Sequence, residues 1–214
     1  MKMQKLVKIC KNERALLLYD TADGVQWLGN RTAMFPLYSH PKYAEENIFA
    51  ALDINEKQRE KITFKHYPAT PSHLDVSDFV DSESVVERAG GIAIYYCGKY
   101  LIPYKTQQGI MFVNGDSLAP LADQEDKMLY ERQTASGETY FAVKSGFMVN
   151  GIVTPENIVD EVLLRQLKAL YQECELTLYN QTPQNTDPQD EQQTIDALKE
   201  MYGADSDEDA EDDE

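Results

Sequence analysis

The side chains best suited to move protons near neutral pH are His40, His66 and His73. His66 and His73, with Asp75, could approach one metal ion, but their interval matches no zinc pattern and falls in a loop. No H-E-x-x-H, G-x-S-x-G, G-x-G-x-x-G or Walker loop occurs. The paired glycines of "RAGGIAIYY" precede a predicted strand instead of opening a helix, so they do not form a phosphate cradle. Carboxylates are abundant, and a pair of them meeting in a cleft stays open on sequence grounds. Cys10, Cys97 and Cys174 are odd in number, far apart and without a CxxC spacing, which predicts reduced, buried thiols in a cytoplasm. The expectation is therefore a protein that is not an enzyme, with no cofactor and no metal.

Nucleic acid is the next chemistry to weigh. Tyr19, Trp27, Tyr95, Tyr96, Tyr100, Tyr104 and Phe112 crowd the predicted strands, and a β surface of exposed aromatics with lysines can stack single-stranded bases. Lys5, Lys8, Trp27 and Tyr95 are the candidate residues for such a face. An alternating strand sends half of its side chains inward, so core packing is the competing reading.

The net charge of −17 is unevenly placed. Residues 181–214 hold 13 acids and one base, whereas the first 180 residues carry a net charge of −5. Within that acidic segment, Asp187 and Pro188 suit a helix start and Gly203 a helix stop, predicting an amphipathic helix at about 188–202. Ile195, Leu198, Met201 and Tyr202 fall on its apolar face. Such a short helix is marginal alone. It either packs on its own body or folds into the groove of a protein partner. The last ten residues, "DSDEDAEDDE", read as a disordered acidic tail. That tail either solubilises the chain or competes with nucleic acid for a basic surface, for which Lys2, Lys5, Lys8, Lys11 and Arg14 are one candidate.

The elements that would position these residues are mostly β. "KLVKIC", "ALLLYD", "VQWLG" and "TAMFPL" read as strands, and "YAEENIFAALDI" as a short helix with Ile48, Phe49 and Leu52 at helical spacing. Residues 1–67 form a first β-rich half and 68–88, rich in Pro, Ser and Asp, a loop or linker. Residues 89–180 form a second β-rich half ending in a long helix, with Thr154 as its cap and Pro155 at its first position. Its stripe of Val159, Val162, Leu163, Leu167, Leu170 and Cys174 predicts a core-facing surface.

The frame T-x-x-G-x-x-aromatic occurs three times, at Thr21–Trp27, Thr106–Phe112 and Thr134–Tyr140. T-x-x-G is hairpin-loop chemistry, with the glycine where φ must be positive, so three hairpins are expected. Aligning Tyr19 with Tyr104 also matches Pro36-Leu37 to Pro120-Leu121 within one residue, which fits either an internal duplication or chance. The fold class is α+β: two antiparallel β-rich halves, a short helix in the first, a long C-terminal helix and the acidic tail. Apolar runs end well before the ~18 residues of a membrane span, and "MKMQKLVKICKN" has no signal-peptide core. No membrane partner and a cytoplasmic location are expected.

"ICKNERALLLYDTADGVQWLGNRTAMFPL", "IFAALDI" and "SGFMVNGIVTPENIVDE" together resemble a group of uncharacterised prophage and mobile-element proteins of Gram-positive bacteria. The resemblance implies a bacterial cytoplasm and a phage-related setting, and it assigns no functional residue. The leading expectation is a non-catalytic adaptor serving DNA replication or recombination, recruiting a protein partner through its tail. An acidic DNA mimic that inhibits a host nuclease or regulator is the alternative, and a weak single-stranded DNA binder the third. The sequence leaves the oligomeric state open.

Overall fold

The computed structural model describes residues 1–181. Met1–Ile158 form one compact unit and a second begins at Val159, so the chain does not divide at the 68–88 segment. In chain order the first unit runs α1 (Met3–Asn12), β1 (Ala15–Asp20), β2 (Gln26–Gly29), β3 (Ala33–Pro36), α2 (Glu45–Ala51), α3 (Glu56–Arg59) and β4 (Thr63–Tyr67). After a long loop come β5 (Ser84–Arg88), β6 (Ile94–Tyr96), β7 (Lys99–Thr106), β8 (Gly109–Asn114), α4 (Gly115–Leu118), β9 (Lys127–Gln133), β10 (Thr139–Ser145) and β11 (Met148–Val153). The second unit contains α5 (Glu161–Gln181).

The 11 strands of the described residues join one sheet, in the order β4-β1-β2-β3-β11-β10-β9-β5-β7-β6, with β8 also on β7. The α+β class stands. The sheet is antiparallel except where β4 runs parallel to β1. The two β-rich stretches are stitched together by β3 on β11, with Met34 opposite Ile152 and Ala33 opposite Val153. Thr154 extends that seam, its amide donating to the Thr32 carbonyl at 2.8 Å.

Successive strand residues point to opposite faces, and both faces are buried. Leu16, Leu18, Leu28, Phe35, Phe141 and Val143 form one core with Leu6, Ile9 and Cys10 of α1 and Ile48 and Phe49 of α2. Tyr19, Trp27, Met34, Tyr140, Ala142 and Ile152 form the other, capped by Leu74 and Val76 of the loop after β4. Burial on both sides is why "ALLLY" is a continuous apolar run, as expected.

The three T-x-x-G frames are three hairpin loops: β1–β2, β7–β8 and β9–β10. Gly24, Gly109 and Gly137 have φ of 83°, 105° and 83°, the left-handed region that side chains resist. The threonines close the loops, Thr106 Oγ1 donating to the Gly109 carbonyl at 2.8 Å and Thr134 Oγ1 accepting from the Glu138 amide at 3.1 Å. The Pro-Leu pairs are not equivalent: Pro36 ends strand β3, whereas Pro120 and Leu121 lie in a 3-10 turn.

Three expectations are corrected. "KLVKIC" is helix, not strand: Leu6, Val7, Ile9 and Cys10 wind onto one buried face, leaving Lys5 and Lys8 in water. α5 starts six residues later than expected, because Thr154 and Glu156 continue the sheet, Glu156 bridging to Phe112. Asp160 caps it instead, its carboxylate accepting from the Leu163 amide at 2.7 Å. Of the expected core stripe only Leu163 is buried, while Val159, Val162, Leu167 and Leu170 are exposed, as is Cys174.

Candidate functional site

In the first unit a cleft of about 690 Å³ lies between the β1–β2 hairpin and the loop that follows β4. The hairpin wall is set by its own turn. Thr21 Oγ1 donates to the Asp23 carboxylate and to the Val25 carbonyl, and the Val25 amide donates to Asp23 Oδ1 at 3.2 Å. These bonds fix Asp23 at the rim.

The opposite wall is irregular backbone, residues 72–78, and needs external anchors to hold its shape. Arg132 on β9 supplies them. Its side chain is 1% exposed, and one guanidinium nitrogen donates to the carbonyls of Asp75 and Ser77 at 2.9 Å each. Nε and the other nitrogen grip the Glu83 carboxylate, Nε at 2.8 Å. Lys144 on β10 completes the clamp, its Nζ donating to the Asp78 carbonyl at 2.7 Å and to Glu83 at 2.6 Å. Two buried cations thus share one carboxylate and three backbone carbonyls. The wall is also pinned from beneath, where the Asp75 amide donates to the Tyr140 hydroxyl at 3.0 Å and the Val149 amide to Asp78 Oδ1 at 2.8 Å.

The lining is acidic and aromatic. Asp23, Asp75 and Asp78 line a space bounded by Trp27, Tyr38 and Tyr140, and no lysine or arginine borders it. Asp23 is held below the usual carboxylate range, chiefly by the Thr21 hydroxyl and then by the Val25 amide. For Asp75, burial pushes the pKa up, but hydrogen bonds from the Ser77 hydroxyl and amide and the charge of Arg132 outweigh it, and the net shift is downward. Burial raises the Tyr38 phenol, and the charges of Asp78 and Asp23 raise it further, so it stays neutral. At neutral pH the cleft therefore presents fixed negative charge beside the exposed ring of Tyr38, with Trp27 and Tyr140 buried in its walls. That combination attracts a cation, by Coulomb interaction and by the ring quadrupoles. One residue beyond Asp78, Phe79 is 71% exposed and pairs with Phe147, 75% exposed, their centroids 6.1 Å apart.

Of the sequence-derived candidates, Trp27, His73 and Asp75 border the cleft, and the others lie elsewhere. Lys5 and Lys8 stand on α1, which packs on one face of the sheet, while Trp27, 3% exposed, sits in the core of the other face. Tyr95 is 77% exposed on β6, a strand at the far end of the sheet from β4. These four residues do not share a base-stacking face, because the pleat sends Trp27 inward. Ile195, Leu198, Met201 and Tyr202 lie outside the described residues. His66 bonds Asp20 at 3.0 Å, whereas His73 and Asp75 line the cleft. Among the described residues no group of three or more His, Cys, Asp or Glu could hold a metal ion, and no helix is long and apolar enough to cross a membrane. Asp23, Tyr38 and Asp78 went unmarked in the sequence, and Tyr140 was marked only as a hairpin aromatic. The one local signal was D-x-S-D at Asp75–Asp78, a spacing in which the first aspartate bonds the serine two residues on. Comparison with protein families, with curated proteins and with solved structures finds no match to this chain.

Proposed function

We propose that this protein is a non-catalytic adaptor whose cleft holds a basic side chain, lysine or arginine, of a protein partner. The observation that carries this reading is the cleft itself: three lining aspartates, aromatic walls and no lysine or arginine, with His73 the one imidazole in the lining. Asp23 and Asp75 are kept ionised by hydrogen bonds, which suits them to hold a cation and makes them poor proton donors. The exposed Phe79–Phe147 pair beside the cleft supports a protein as the source of the cation, because clustered exposed aromatics anchor protein interfaces. The phage or mobile-element setting, and service in DNA replication or recombination, rest on the resemblance of the quoted segments and belong to the proposal. Recruitment through the helix at 188–202 concerns residues outside those described and is a separate contact.

The test uses Trp27, which borders the cleft. Titration of the full chain with a short oligoarginine or oligolysine peptide should change Trp27 emission, with binding that weakens as salt rises. The double variant Asp23→Asn, Asp75→Asn should lose the emission change while any binding to the acidic segment persists. An unchanged Trp27 response in that variant, or none in the parent at low salt, would sink the proposal.

A further inference from the structure

A second hollow, of about 270 Å³, opens on the sheet face that carries Trp27, and the loop after β4 borders it as well. Its floor follows from the strand register. Leu17 on β1 pairs with Gly29 on β2, Gly29 with Met34 on β3, and Met34 with Ile152 on β11, so these four positions form one row across the sheet. Cross-strand partners share a face, and three of the four present a large apolar side chain there. Gly29 presents none, so the row is low between Leu17 and Met34. No side chain fits at this position, because a Cβ on Gly29 would lie 2.0 Å from the Ala33 carbonyl oxygen. Pro71 and Leu74 border the hollow from the loop, in a turn closed by the Leu74 amide donating to the Pro71 carbonyl at 3.0 Å.

The polar border is the β2–β3 turn, whose donors and acceptors are matched among themselves. Asn30 Oδ1 accepts from the Thr32 amide at 2.9 Å and from the Ala33 amide at 2.8 Å. The Thr32 hydroxyl donates to the same oxygen at 3.2 Å, and the Thr154 hydroxyl to the Thr32 carbonyl at 3.2 Å. Arg31, in the middle of this turn, is the exception. It is exposed, and among the described residues it has no hydrogen-bond or ion-pair partner. No aspartate or glutamate lines the hollow, and His73 is the only other lining side chain able to carry positive charge. In a chain of net charge −17, an apolar hollow whose one permanent charge is a free arginine is complementary to an anion with an apolar body. A single guanidinium matches the two oxygens of a carboxylate in a forked pair. The volume lies just below the ~300–1,000 Å³ of pockets for drug-sized ligands, so the occupant is small.

We infer that this hollow binds a small, free monocarboxylate with an aliphatic body, its carboxylate paired with Arg31 and its tail over Gly29, between Leu17 and Met34. The site stands whether or not the cleft holds a basic side chain.

The probe is sodium octanoate, with octanol and octylammonium as controls for charge, added to the full chain isotope-labelled at its methionine and isoleucine methyls. Octanoate should shift the Met34 and Ile152 methyl resonances to saturation, less readily as salt rises. Octanol should bind about tenfold more weakly, because it lacks the charge-assisted bond, and octylammonium should not bind over the same range. Arg31→Gln, a surface change that should leave circular dichroism as in the parent, should lower octanoate affinity about tenfold and leave octanol affinity unchanged. Arg31→Glu should reverse the preference, towards octylammonium. Met34 and Ile152 resonances that ignore octanoate overturn the inference, as does equal binding of octanoate and octanol, or an Arg31→Gln chain that holds octanoate as tightly as the parent. A response to a peptide ending in a free leucine carboxylate, with none to octanoate, would assign the site to a protein chain terminus and overturn the free-ligand inference.

Discussion

The clamp behind the cleft wall makes a quantitative prediction through Glu83→Gln. Among the described residues Glu83 is the only carboxylate bonded to Arg132 and Lys144, whose side chains are 1% and 5% exposed. Glutamine keeps the shape and one acceptor oxygen but removes the negative charge, leaving two buried cations facing carbonyl dipoles. Breaking a buried ion pair on one side typically costs about 3–5 kcal/mol, because the surviving charge stays desolvated. Against a total stability of about 5–15 kcal/mol for a domain, this is a large fraction. In urea unfolding followed by far-ultraviolet circular dichroism, the midpoint should fall sharply at unchanged slope. Asp81→Asn, an exposed neighbour, should shift stability by no more than about 0.5 kcal/mol. The pH dependence supplies a second reading. Burial pushes the Glu83 pKa up, but the bonds and charges of Lys144 and Arg132 outweigh it and hold the carboxyl below its ordinary 4.5. A depressed folded-state pKa contributes stability above 4.5 that is lost as pH falls through the folded value. Parent protein should therefore lose more stability than Glu83→Gln on acidification below 4.5. A cost under about 1 kcal/mol at pH 7, or parallel pH profiles, would refute the claim that this carboxylate neutralises the clamp.

Further outcomes follow from single residues. Burial pushes the Cys10 thiol up to about 12, with the Glu13 charge adding to it, while Cys97 and Cys174 are exposed. Iodoacetamide at pH 8 should label two thiols in the native chain and the third only after unfolding. Gly137→Ala, at a φ of 83°, should cost about 1 kcal/mol in urea unfolding from backbone strain alone, since nothing lies within 4 Å of the added carbon. Trp27, 3% exposed, should emit to the blue of free tryptophan and resist iodide quenching. Single-stranded oligonucleotide should leave that emission unchanged, and stacking-type quenching would revive the strand-binding reading.

Much of the sheet was legible because two-sided burial writes itself as unbroken apolar runs, and because T-x-x-G loops have few conformations open to them. "ALLLYD" and the three hairpins needed no knowledge of distant partners. α1 was misread because Leu6 and Lys8 alternate, and the decisive Leu6, Ile9, Cys10 spacing is visible only when the window is widened. The α5 cap was misplaced because Thr154-Pro155 satisfies every local rule for a helix start. A long-range bond to Thr32 claims that threonine first. The cleft was illegible for a different reason. It draws on the hairpin at 21–27, on Tyr38, on the 72–78 loop and on β10, and no one of these segments is distinctive alone. Arg132 in "KMLYERQ" looks like an ordinary solvated charge, and only the fold reveals that it is sealed in.

The pairing of β3 with β11 has a consequence for synthesis. Strands formed by residues 33–36 wait for residues 148–153 before their edge is closed, so the sheet's central seam is also among its longest loops in sequence. Closing such a loop requires an entropy cost to be met before contacts reward it, and folding rates fall accordingly. On the ribosome, β1, β2 and β3 emerge first with an apolar open flank. They stay unsealed while more than 110 further residues are made. At about 5–20 residues per second that interval lasts on the order of ten seconds. A nascent chain exposed for so long is a substrate for chaperones and proteases. Truncations between β4 and β11 are therefore expected to be degraded in cells, whatever the stability of the finished sheet.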